Sequence, residues 1–169
     1  VFGESTLNFT SAFRGIAGLR WTHDELEYDH RRLSTSATTV SGIQPATSSS
    51  GSVDEDGWSG RLGLQYDLTD NVMTYLTYSR GYKGPAYNVF FNMQPRDTDP
   101  LKPETSNTWE LGVKATSWND RLVTNVAVFH SDYDNYQANF FDTVAGLVVT
   151  RLINAGSVST EGVEADLAL

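Results

Sequence analysis

The chain has 169 residues, a formal net charge of −9 and no cysteine. That acidic balance argues against nucleic acid as a partner, which requires a basic surface to displace counterions from phosphates. The missing thiol excludes a disulfide framework, a cysteine zinc site and a cysteine nucleophile. Aromatic residues make up 12% of the sequence, and Thr and Val recur in the candidate strands, so the expected class is all-β. No stretch approaches the roughly 18 consecutive apolar residues of a membrane-crossing helix. Strands of a membrane barrel escape that test, because they alternate apolar and polar residues. The chain opens on Val1 without the basic region and apolar run of a signal peptide, and it stops within an alternating pattern at Leu169. Both ends read as interior points of a longer polypeptide.

Period-two alternation runs along the chain from its beginning. A partial strand over 1–9 is followed by one over 12–28, where Phe13, Ala17, Leu19 and Trp21 oppose Arg14, Arg20 and Thr22. The strand over 58–68 sets Trp58, Leu62, Leu64 and Tyr66 against Ser59, Arg61, Gln65 and Asp67. In the strand over 72–82 both phases hold apolar groups, and its facing stays open. Over 106–116, Trp109, Leu111, Val113 and Ala115 oppose Glu110 and Lys114. The strand over 121–136 is again mixed. The last, over 147–169, sets Val163, Ala165, Leu167 and Leu169 against Glu164 and Asp166. Successive strand side chains point to opposite faces, so one face is apolar and the other carries the charge.

The connections alternate in length. Short ones lie near 9–12, 68–71 and 117–120, rich in the Asp, Asn, Ser and Thr that close tight turns. Long ones cover 30–57, 83–105 and 137–146. The first is low in complexity, with Ser34-Thr35-Ser36 and Ser48-Ser49-Ser50-Gly51-Ser52. A weak repeat pairs Asn8–Phe13 with Asp67–Val72, each leading into a strand that runs toward the long-loop end. A soluble sandwich has no reason to gather its long loops at one end, whereas an outer-membrane barrel does. Trp21, Trp58, Tyr66, Tyr75, Trp109 and Trp118 lie near strand ends, where amphipathic rings favour a lipid–water boundary. The fold expected is an antiparallel up-and-down meander of about seven strands, open and incomplete, belonging to a larger transmembrane β-barrel.

Particular motifs carry a resemblance. Tyr78-Ser79-Arg80-Gly81-Tyr82-Lys83, then Leu101-Lys102-Pro103-Glu104 with Glu110-Leu111-Gly112-Val113-Lys114, then Asn154-Ala155-Gly156 with Gly162-Val163-Glu164, resemble in order and spacing the signatures of TonB-dependent outer-membrane receptors. Gly18-Leu19-Arg20-Trp21-Thr22 is similar to a further strand of that family. Set against the family pattern, residues 1–169 constitute a partial barrel domain, with neither the plug domain nor the closing aromatic strand. The resemblance implies a place in the outer membrane of a Gram-negative bacterium, in contact with its lipid. It implies active uptake of a large scarce solute (a ferric siderophore, cobalamin or an oligosaccharide) with energy relayed by TonB through the plug. A passive porin-like barrel and a secreted carbohydrate-binding β-domain are the alternatives.

The charged phase nominates Arg20, Arg61, Glu110, Lys114 and Glu164 as lumen-facing residues, with Arg80 grouped beside the arginines. The aromatic and amide groups Tyr82, Tyr87, Asn88, Phe90 and Phe91 are the candidate ligand contacts on an outer loop, with Phe140 and Phe141 as a second set. His23, His30 and His130 lack metal-site spacing, and no full oxygen-ligand loop follows Asp54-Glu55-Asp56-Gly57. No catalytic motif occurs. Neither catalysis, a resident metal nor a cofactor is expected.

Overall fold

The computed structural model describes residues 1–33, 45–90, 92–119, 121–144 and 146–169. Strands β1 (Phe2–Asn8), β2 (Phe13–Arg32), β3 (Thr47–Thr69), β4 (Val72–Lys83), β5 (Glu104–Ser117), β6 (Leu122–Asp134) and β9 (Val158–Ala168) form one antiparallel sheet in chain order. Strands β7 (Gln137–Val144) and β8 (Leu147–Asn154) pair only with each other. The meander is open: β1 and β9 are its outer strands.

Register fixes the two faces, because residues directly opposite in an antiparallel pair project to the same side. One cross-strand row reads Gly15, Leu64, Leu76, Leu111, Val128 and Val163. The next reads Phe13, Tyr66, Thr74, Val113, Val126 and Ala165. The chain leaves this apolar face uncovered: Leu62 is 59% exposed, Leu111 51% and Val163 70%. Among the described residues only Met93 and Leu101 are buried hydrophobics, and both belong to the β4–β5 connection. A soluble sandwich would have placed a second layer over the leucines, and none lies there among the described residues.

At one end the turns are tight. Thr10 Oγ1 accepts the backbone N–H groups of Ala12 and Phe13, and Thr69 Oγ1 accepts that of Asn71, so the repeated segments make the same kind of turn. Trp118 and Asn119, both at positive φ, turn the chain between β5 and β6. The twist of two such residues suits a short hairpin.

The other end departs from expectation in three ways. β2 and β3 remain paired out to Arg32 and Thr47, far into the 30–57 segment expected to be a loop. Ser and Thr are compatible with a ladder in which only the backbone needs partners, so pairing continues where apolar alternation has stopped. Residues 34–44, including Ser34-Thr35-Ser36, lie outside the described residues. The expected 137–146 loop is instead the first strand and turn of the β7–β8 hairpin, and the expected 147–169 strand is divided at residues 155–157. Gly156, at φ +89°, lets the chain change direction there.

In the mixed strand β4, Leu76 and Tyr78 join the apolar face, and Met73 and Tyr75 the polar one. Tyr75 is therefore no boundary aromatic. Its ring lies over Gly112, where any Cβ would collide with it. Gly112→Val should displace Tyr75 and destabilise the folded protein by about 1–3 kcal/mol, as overpacking does. Denaturant midpoints check this, and adding Tyr75→Ala should recover part of the loss.

Candidate functional site: a charged wall and an outer loop cluster

The sheet brings all five nominated charges, Arg20, Arg61, Glu110, Lys114 and Glu164, onto the face opposite the leucines. Arg61 donates to both carboxylate oxygens of Glu4 at 2.9 and 2.8 Å. It does so across Gly18 of β2, where a Cβ would stand 3.2 Å from Glu4 Oε2. Arg14 makes a second fork with Asp67 at 2.8 and 2.9 Å and donates to Gln65 at 2.7 Å. Tyr75 donates its hydroxyl to Glu110 at 2.6 Å, and Lys114 Nζ stands 5.6 Å from the Tyr75 ring centre. Arg20 lies opposite Ser59, and Glu164 opposite Ala127. Glu4, Arg14 and Asp67 were not nominated from sequence. Their partners lie more than fifty residues away, and only register reveals them.

Arg80 is the exception. Its phase puts it on the apolar face between Gly60 and Asn107, not beside Arg20 and Arg61. The β4 sequence could not place it, because apolar groups occupy both phases.

At the long-loop end the β4–β5 connection packs between the β2–β3 extension and the β7–β8 hairpin. The Tyr87 ring packs tilted against that of Tyr28 of β2, centres 4.7 Å apart, and Arg32 donates to Asn92 at 3.1 Å. On the other side Asn88 uses its carboxamide as a strand would, donating to Leu152 O at 2.8 Å and accepting from Leu152 N at 2.7 Å. Gln137 Nε2 donates to the carbonyls of Gly84 and Lys102, and Asn154 Nδ2 donates to Lys102 O and Asn135 O. Asp97 is fully buried and accepts Arg151 Nε at 2.7 Å, while its other oxygen accepts the Gln94 N–H. Asp142 adds ion pairs to Arg96 and Arg151.

Of the nominated ligand contacts, Tyr82, Tyr87, Asn88 and Phe90 all lie half-buried in this cluster, and Phe91 lies outside the described residues. Asn88 is committed to Leu152. Burial, and then the Asp24 carboxylate, push the Tyr82 hydroxyl up to about 12. The hydroxyl of Tyr28 is buried without a hydrogen-bond partner among the described residues. Phe140 and Phe141, 52% and 75% exposed, project from β7. Among the described residues no cluster of His, Asp and Glu is arranged to hold a metal.

A meander with an uncovered apolar face, a paired charged face and structured connections at one end defines the wall of a transmembrane β-barrel. The chain belongs to the TonB dependent receptor-like β-barrel family, whose sequence model matches residues 1–169. Proteins of that family are transport receptors of the Gram-negative outer membrane, and this chain shares that location. It is 27% identical over 170 residues to the ferric-pyoverdine 358 receptor of Pseudomonas putida, covering 99% of this chain and 19% of the receptor. It is 26% identical over 148 residues to the catecholate siderophore receptor Fiu of Escherichia coli K12, covering 80% of this chain and 20% of Fiu. The crystal structure of the ferric yersiniabactin uptake receptor FyuA from Yersinia pestis superposes with a TM-score of 0.77 at 23% identity, over 98% of this chain and 23% of that one. The chain thus spans about a fifth of the length of the curated relatives it matches.

Two outcomes follow from this geometry. Arg151→Ala strands the buried Asp97 carboxylate, a change that costs about 3–5 kcal/mol where a buried pair is broken. Limited proteolysis should then cut within 84–103 and 137–154 while the sheet stays protected. His23, held by Asp56 at 2.9 Å, has its pKa raised, first by that hydrogen bond. The ion pair is therefore complete below the ordinary histidine range and is lost as pH rises through the raised value. A histidine NMR titration should show the upward shift and its disappearance in Asp56→Asn.

Proposed function

We propose that these residues are about seven strands in the wall of a closed barrel within a longer receptor, which imports a ferric siderophore with energy relayed by TonB through a plug domain. One observation carries the membrane part of this reading: Leu62, Leu64, Leu111 and Val113 form an apolar surface that no described residue covers. In hydrocarbon every backbone N–H and C=O must pair internally, and only a closed barrel achieves this with strands. The charged face then lines the lumen. Its ion pairs and hydrogen bonds hold Arg61, Glu4, Tyr75 and Glu110 in fixed places beside a plug. The names of the siderophore receptors above favour that ligand class over cobalamin or an oligosaccharide.

The loop cluster forms part of the outer vestibule. Tyr87 and Phe90 are the ligand contacts of this stretch, with Tyr82 at the end of β4 beside them in sequence, and Asn88 holds the connection in place. Exposed Phe140 and Phe141 are the second set.

Uptake of iron-loaded siderophores by cells with and without the gene, each in a background with and without TonB, tests the reading. Import should need both; import that persists without TonB would make the barrel a passive pore. Tyr87→Ala with Phe90→Ala should weaken surface binding about tenfold, the scale of losing one good contact. In the intact receptor Leu111→Arg should cost about 2–4 kcal/mol on folding into vesicles. Thr77→Arg, on the charged face, should cost little.

A further inference from the structure

The apolar face is not uniformly filled. Ser5, Ala17 and Gly60 leave a trough of about 550 Å³ walled by Leu19, Trp58, Leu62 and Tyr78. Gly60 has no alternative there, since a Cβ would meet Gly18 O at 2.5 Å. A second hollow of about 400 Å³ continues past Gly15 toward Leu7 and Phe9, sharing Ala17, Leu62 and Tyr78 with the first. The two make one apolar channel running along the wall.

Arg80 stands at the long-loop end of this channel. Among the described residues it forms no ion pair. Its guanidinium donates to Asn107 Oδ1 at 3.3 Å, an oxygen that already accepts the Tyr78 hydroxyl at 2.7 Å. An arginine on the lipid side of a barrel is tolerated near the interface, where its head reaches the polar layer. Among the described residues its remaining donors have no carboxylate partner. Guanidinium forks match phosphate geometry.

Resting on the membrane-wall reading above, we infer that the Ser5–Ala17–Gly60 channel and Arg80 form a binding site for a phosphate-bearing, multiply acylated lipid of the outer leaflet. One acyl chain lies in the channel and the phosphate sits on Arg80. Charge complementarity selects this occupant over a second protein copy, whose matching surface would have to bring a buried anion.

The test uses the full receptor in detergent micelles, titrated with bis-phosphorylated lipid A and with its dephosphorylated form, and read by native mass spectrometry. Heat-modifiable gel mobility is recorded first. If no barrel forms in the wild type, the wall reading fails; a folded barrel without lipid preference defeats only this inference. The wild type should retain one phosphorylated lipid and bind the dephosphorylated form about tenfold more weakly, a single charged contact's worth. Arg80→Gln should abolish that discrimination, and Ala17→Leu, which fills the channel, should weaken both lipids. Arg121→Gln, at the opposite end, should change nothing. Equal binding of the two lipids by the wild type, or unchanged discrimination in Arg80→Gln, overturns the assignment.

Discussion

Backbone hydrogen bonding is the constraint on which the rest of this structure depends. A strand crossing hydrocarbon has no water for its amides, so neighbouring strands must supply every partner. Within the sheet β1-β2-β3-β4-β5-β6-β9 the antiparallel ladders meet that demand between neighbours, with one register shift between Asp67 and Thr69, and side chains are then free to diversify by face. Outward residues need only be apolar, which is why Leu62, Leu111 and Val163 make no interior. Residues of the opposite face carry the charges, and there Arg61 pairs with Glu4 and Arg14 with Asp67.

The same constraint explains where order extends beyond the membrane. β2 and β3 pair through Ser48, Ser50 and Ser52, whose side chains bury nothing, because the hairpin's backbone ladder carries on once started. The β4–β5 connection contains no long strand, yet it is fixed between two hairpins by the Tyr28–Tyr87 ring contact, by carboxamides and by Arg151–Asp97.

Much of this was legible in the residues themselves. The β3 alternation from Trp58 to Leu68 and the β5 alternation from Trp109 to Ala115 gave both strand and facing, since each has a single apolar phase. β4 gave a strand without a facing, and only its register with Leu64 and Leu111 put Leu76 outside and Tyr75 inside. That ambiguity misplaced Tyr75 at the boundary and Arg80 in the lumen. β7 escaped notice because Asn139-Phe140-Phe141-Asp142 does not alternate, and a two-stranded hairpin with both faces mixed leaves no periodic trace. The Arg61–Glu4 and Arg14–Asp67 pairs could not be read locally, because each joins strands more than fifty residues apart.

The carboxamide of Asn88 has one more effect. A two-stranded ribbon such as β7–β8 displays a free margin of amides and carbonyls, and such a margin invites a foreign strand to add itself. By taking up both the N–H and the C=O of Leu152, Asn88 occupies one residue's share of that margin with a single side chain. A foreign strand arriving there meets that carboxamide in place of an open backbone pair.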